Sequence, residues 1–268
     1  MEKDLNVQSD EGSLSVSFLV PAYSLAPDEA TFPTQLCEAA TILSHLLTVT
    51  GRSPSSIMLA GDSAGGALVL SLLSHMLHPR TDIPHIRISE PLRGVCLLSP
   101  WVSFSTEFAS YARNAGSDML ISSVLKRWSA FYLGKMGVSN EGPVTSAVQS
   151  NDIYAEAFLA TPSWWSGLDQ IVDGILVWVG GQELFFDPIT GFVSKLKDGW
   201  QSKGVLDRDL TLVEGRNEVH IGPIVNLSLG NKSKRDSQVI VEAWLSERLS
   251  PAWPVRKSPA AVPPVLVP

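Results

Sequence analysis

Apolar and polar positions along the chain fall into two alternating rhythms. Ser15 to Tyr23 (SVSFLVPAY) is rich in residues that suit a strand, with Pro27 close behind as a stop. From Glu29 the apolar positions Phe32, Leu36, Ala39, Ala40, Leu43, Leu46 and Leu47 recur every three or four residues until Gly51, the spacing of an amphipathic helix. Ser56 to Ala60 is a short apolar run of the buried-strand type, and Ala64 to His78 reads as a mostly apolar helix closed by Pro79. Leu92 to Ser99 predicts a second buried strand and Gly174 to Gly180 a third. Pro188 to Gly199 predicts a helix, Asp209 to Val213 a strand and Asp236 to Leu249 a closing helix. Strands that alternate with helices imply an α/β fold whose mostly parallel sheet is covered on both faces.

Two stretches depart from this rhythm. Residues 102–173 loosen into helical pieces that carry Trp128, Trp164 and Trp165, the pattern of an insertion between two strands. There a lid would sit, its aromatics either lining an apolar pocket or packing the insertion's own core. Residues 250–268 hold six prolines in nineteen residues, so they extend neither a helix nor a central strand, and a mobile tail over 251–268 is expected. At 268 residues the chain suffices for one α/β domain with such an insertion, residues 1–250 forming the domain.

Composition then removes several classes of function. A formal net charge of −7 with only short basic clusters leaves no stripe to neutralise phosphates, which argues against a nucleic-acid partner. The first twenty residues start acidic and lack the layout of a secretory signal. No run reaches the roughly 18 uninterrupted apolar residues of a membrane span, so a cytoplasmic protein is expected. Cys37 and Cys96 lie far apart, on an expected helix and an expected buried strand, and are read as reduced core residues. Neither metal-ligand spacing nor a dinucleotide glycine loop occurs, so no cofactor is expected.

The candidate chemistry centres on Gly61-Asp-Ser-Ala-Gly-Gly66. A phosphate-cradling loop needs a lysine after its last glycine, and here Ala67 follows. The segment instead fits G-x-S-x-G, with a strand entering and a helix leaving. Such a turn, with small residues at Gly61 and Gly65, lifts the Ser63 hydroxyl above the sheet and points the Ala64 N–H at a developing oxyanion. A serine needs a base, and the base needs an orienting carboxylate. Of five histidines, His45, His75 and His78 fall on helices and His85 precedes a strand, which leaves His220 in the loop after the last strand. For the acid, Glu183 and Asp187 both follow the strand ending at Gly180. Glu183 is nearer that strand end, whereas Asp187 also suits a helix start.

Tyr23-Ser-Leu-Ala-Pro27, the Gly-Asp-Ser-Ala-Gly-Gly turn, Leu98-Ser-Pro-Trp101, Gly181-Gln-Glu-Leu-Phe-Phe-Asp187 and His220 together resemble the hormone-sensitive-lipase-like branch of α/β-hydrolases, particularly its fungal esterase-like members. The resemblance covers roughly residues 15 to 250. It implies that Ser63 is the nucleophile and His220 the base, with Glu183 where the family's acid motif has its first aspartate. It further implies a small apolar ester as substrate. Nothing before Ser15 matches the family's His-Gly-Gly-Gly oxyanion loop, so by the resemblance the chain lacks the first strands and that loop, as an N-terminally truncated member would. The resemblance also implies that the strand at Ser15 to Tyr23 either borders an open slot in the sheet or moves over to pair with Ser56 to Ala60. A hydrolase so depleted can alternatively act as a catalytically impaired binding protein.

Overall fold

The computed structural model describes residues 2–9, 12–135, 150–201, 210–231 and 233–250. The Pro-rich tail at 251–268 and residues 136–149 of the expected insertion lie outside the described residues.

Strands β1 (Glu2–Ser9) and β2 (Gly12–Leu19) form an antiparallel hairpin, with Glu2 opposite Leu19 and Ser9 opposite Gly12. The expected strand at Ser15 to Tyr23 is therefore present but ends before Pro21, which has no N–H to give a ladder. It takes Glu2–Ser9 as its partner and does not pair with the strand that enters the serine turn, which overturns the second of the two expected arrangements, the move over to Ser56 to Ala60. The strand at Glu2–Ser9 was hidden by its acidic, polar composition, although Leu5 and Val7 alternate there with Asp4, Asn6 and Gln8.

Helix α1 (Thr34–Thr48) begins five residues later than its apolar spacing predicts, because Phe32 precedes Pro33 and a residue before proline is pushed out of helical geometry. Its Leu36, Ala40 and Leu43 are buried. After it come β3 (Met58–Asp62), α2 (Ser63–Leu77) and β4 (Gly94–Leu98). Short helices α3 (Ala109–Arg113) and α4 (Ser122–Tyr132) follow, then β5 (Ile175–Gly180) and α5 (Phe186–Gln201). The chain closes with β6 (Leu210–Gly215), α6 (Gly222–Ser228) and α7 (Asp236–Arg248). Helix α5 starts two residues before Pro188, since a proline in the first helical turn forfeits no hydrogen bond. Helix α6, only seven residues long, has no apolar rhythm long enough to read.

The four strands β3, β4, β5 and β6 lie side by side in that order, all parallel, with Ala60 beside Cys96, Cys96 beside Leu176 and Leu176 beside Thr211. Among the described residues β3 has a strand partner on one side only. Strand β5 is buried throughout, and its alternate residues enter two separate cores. Ile175, Val177 and Val179 join the core that includes Leu70 and Leu73 of α2 and Phe192 and Leu196 of α5. Leu176 and Trp178 join Cys96, Val213 and the α7 residues Val241 and Trp244. The sheet is thus covered on both faces, as the continuous apolar runs require. Cys96 and Cys37 are both free, and burial pushes the Cys96 thiol up to about 12. Among the described residues no helix is long and apolar enough to cross a membrane.

Parallel register brings the carboxyl ends of all four strands to one rim: Asp62 beside Leu98, Leu98 beside Trp178, and Gly180 beside Gly215. The segments that leave this rim carry Ser63, Ser99, Glu183 and His220. Ligand sites of open α/β sheets form at such a rim.

Candidate active site

Ser63 is the first residue of α2 and has φ of +50°, in the left-handed region that only glycine enters freely. Asp62 before it is extended, so the chain passes from strand to helix across one residue. Two glycines make the turn possible. A Cβ on Gly61 would stand 2.5 Å from the Gly65 carbonyl, and one on Gly66 would stand 2.8 Å from Cβ of Pro100. At Gly65 an added Cβ would meet nothing within 4 Å, so the room expected from Gly61 and Gly65 is in fact supplied by Gly61 and Gly66. The Trp101 N–H donates to the Ser63 carbonyl (3.0 Å), which ties the turn to the end of β4. Ala64 is the second residue of the helix, where the backbone N–H has no acceptor within the helix and the helix dipole adds positive potential.

His220 arrives from the opposite end of the rim. Its Nε2 lies 2.9 Å from Ser63 Oγ and its Nδ1 lies 2.7 Å from Glu183 Oε2. The ring is 3% exposed and Glu183 fully buried. Glu183 Oε1 accepts from the Gly180 N–H (2.8 Å) and from the Ser99 hydroxyl (3.0 Å). Burial pushes the Glu183 carboxyl above the ordinary carboxylate range, and the hydrogen bonds from His220, Gly180 and Ser99 hold it back. Because the carboxylate accepts, Nδ1 of the imidazole carries the proton, and Nε2 is left to accept from the serine hydroxyl. Phe185 stands edge-on to the imidazole at 5.2 Å between centroids, and Trp101 stacks on Phe185 at 5.9 Å, so apolar rings wall the pair.

Asp187, the other candidate acid, lies elsewhere. Its carboxylate accepts from the Ser110 N–H (2.6 Å) and from Arg113 (2.7 Å), in the first turn of α5. There a carboxylate faces the positive end of the helix dipole. The aromatics of the insertion are also occupied. Trp165 is buried edge-on against Phe192 of α5, Trp164 lies tilted against His78 at the end of α2 with 3.9 Å between centroids, and Trp128 is half exposed on α4. Trp164 and Trp165 therefore dock the insertion onto the main fold, in place of the expected pocket lining or a core of the insertion's own.

Ser99 is a residue that reasoning from the sequence passed over. It is fully buried, has φ of +48°, donates to Glu183, and its Oγ accepts the N–H of Ile221 (3.0 Å), the residue after His220. One hydroxyl thus touches the acid and the histidine's own segment. The Leu-Ser-Pro-Trp stretch was visible in the sequence, but nothing in it marks the serine as facing a carboxylate 84 residues away.

The alpha/beta hydrolase fold family model matches residues 12–206. A protein of Schizosaccharomyces pombe named "Putative steryl acetyl hydrolase mug81" is 31% identical over 184 residues, 67% of this chain and 44% of that protein. An "Acetyl-hydrolase" of Streptomyces hygroscopicus is 30% identical over 121 residues, 45% of this chain and 37% of that protein. The chain thus spans less than half the length of these relatives. The crystal structure of EstE5 soaked with ethyl alcohol superposes with a TM-score of 0.62 at 21% identity, covering 89% of this chain and 67% of that one. An esterase of the bacterial hormone-sensitive lipase family superposes with a TM-score of 0.62 at 24% identity, covering 85% and 65%. These superpositions show a shared fold, and the family match over most of the sequence carries the assignment further: this chain belongs to the alpha/beta hydrolase fold family.

Proposed function

We propose that the protein is a serine hydrolase of carboxylic esters, with Ser63 as nucleophile, His220 as general base and Glu183 as the orienting acid. A single observation carries this reading: Ser63 Oγ, on a strained turn, lies 2.9 Å from an imidazole whose other nitrogen lies 2.7 Å from a buried carboxylate. In the reaction Ser63 Oγ attacks the ester carbonyl while His220 Nε2 takes its proton. The carbonyl oxygen becomes an oxyanion facing the Ala64 N–H. His220 returns the proton to the departing alkoxide, and the acyl group stays on Ser63. Water, deprotonated by the same nitrogen, then adds to the acyl-enzyme; the acyl bond to Ser63 Oγ breaks, His220 returns the proton to Oγ, and the carboxylic acid is released. Glu183 accepts from Nδ1 throughout and stabilises the imidazolium formed in each half-reaction. The names of the relatives make an acetyl ester the first substrate to try.

A second reading, a catalytically impaired member that binds its ligand, draws on a specific observation. Open space lies over Gly65, and β3 has a strand partner on one side only among the described residues. Loss of one oxyanion donor typically slows turnover by about 10² to 10³. A fluorophosphonate probe together with p-nitrophenyl acetate separates the readings. Labelling and turnover that both vanish in Ser63→Ala support the hydrolase; a parent chain that neither labels nor turns over favours the impaired form.

A further inference from the structure

Side chains of one segment, residues 110–118, hold the loop that carries Glu183 on its carbonyl side. Asn114 Nδ2 donates to the carbonyls of Gly181 (3.3 Å) and Glu183 (2.8 Å). Ser117 Oγ donates to that of Gln182 (3.1 Å), and Ser110 Oγ to that of Leu184 (2.6 Å). Four consecutive carbonyls are therefore met by side chains of one stretch, which lies within the part of the chain the sequence reads as an insertion. On the opposite side the N–H groups of Gly181 and Gln182 donate to the carbonyls of Gly215 and Glu218, in the segment leading to His220.

One residue of the stretch reaches the main chain of both segments that bear the imidazole–carboxylate pair. Asp118 Oδ2 accepts from the N–H of Leu184 (2.7 Å), the residue after Glu183, and Oδ1 accepts from the backbone N–H of His220 itself (3.2 Å). Oδ1 also accepts from the N–H of Met119 (2.8 Å), which limits rotation of the carboxylate. A carboxylate has two oxygens in one rigid plane, so the peptide groups that it bridges are held at one separation. Those peptides bear the two side chains whose 2.7 Å contact orients the imidazole.

We infer that Asp118 is a positioning residue: it sets the His220 main chain against the Glu183 loop, so that the imidazole meets Glu183 and Ser63 at once. This rests on the serine-hydrolase reading for its kinetic consequence and on geometry alone for its structural one. In Asp118→Asn one oxygen becomes an NH₂ group, which cannot accept and faces an N–H donor. One of the two loops then loses its tether while the shape of the residue is kept.

The test uses the full chain, its Asp118→Asn variant and a Glu242→Gln control on the exposed side of α7. Two readouts are followed, steady-state kinetics with p-nitrophenyl acetate and the low-field NMR proton of His220 Nδ1. The expected result for Asp118→Asn is a kcat lowered by about 10-fold or more with KM nearly unchanged, since misplacement by about 1 Å suffices for losses of this order. The low-field proton should broaden or vanish although circular dichroism shows a folded chain. Parental kcat and an unaltered proton in the folded variant would overturn the inference, as would absence of that proton from the parent chain. If Asp118→Asn does not fold, Asp118→Ser is read in the same way. If the parent chain lacks esterase activity, the hydrolase reading fails separately and the proton readout still decides on Asp118.

Discussion

Ser63 holds a left-handed backbone at a cost of about 1 to 3 kcal/mol, and the residues around it show how that conformation is kept. Gly61 lets the turn fold back onto the Gly65 carbonyl, and Gly66 lets α2 approach Pro100. Gly66→Ala is therefore expected to destabilise the protein by about 1 to 3 kcal/mol, through overpacking against the residue that follows Ser99. Gly65→Ala meets open space inside a helix and is expected to raise stability by up to about 1 kcal/mol, because alanine loses less backbone entropy there. Urea unfolding of the two variants checks both signs, and equal destabilisation would contradict this account of the turn. The motif was legible in the sequence because each of its features is local: an apolar strand, a small-residue turn and an apolar helix. Which glycine faces which neighbour was not legible, since Pro100 comes into contact only when β4 is laid beside β3.

At the scale of elements, the C-terminal end of the segment between β4 and β5 is fastened to the rest of the fold by tryptophans. Trp165 is fully buried against Phe192 of α5, and Trp164 donates its indole N–H to Ser74 of α2 at 2.7 Å. Trp165→Ala is expected to cost about 3 to 5 kcal/mol through loss of contact and the cavity left behind. Trp128→Ala, half exposed on α4, should change stability by less than about 0.5 kcal/mol. Thermal melts of both proteins distinguish this from an insertion that packs only on itself, in which Trp128 and Trp165 would matter alike. Periodicity recovered α2, α7 and the buried strands closely, because each long apolar run or stripe reports one element's own burial. It misplaced the start of α1 and missed α6 and β1. Those elements are decided by a proline, by shortness and by a hairpin partner, and none of these produces an apolar rhythm of useful length.

For the whole molecule, the parallel register of four strands gathers residues 63, 99, 183 and 220 at one rim, and burial of Glu183 follows from that packing. The burial has a thermodynamic sign. A carboxyl whose pKa is raised in the folded state binds its proton more tightly there than in the unfolded chain. It therefore favours folding at low pH, and its contribution falls as pH rises from the ordinary carboxylate range through the raised value. Glu183→Gln, which carries no proton to lose, is expected to show a smaller fall in melting temperature between pH 4 and about pH 7 than the parent chain. An identical fall in both proteins would contradict the direction of the shift. The sequence by itself determined the fold class, the serine turn and the short list of partners for it, because strand–helix alternation and a strained small-residue turn are written in neighbouring positions. Only the tertiary structure placed Glu183 rather than Asp187 against His220, two acids four positions apart on one loop-to-helix segment. It alone revealed Ser99 and Asp118 beside them. The reason is physical: which side of a loop faces a buried imidazole depends on segments distant in sequence that close around it.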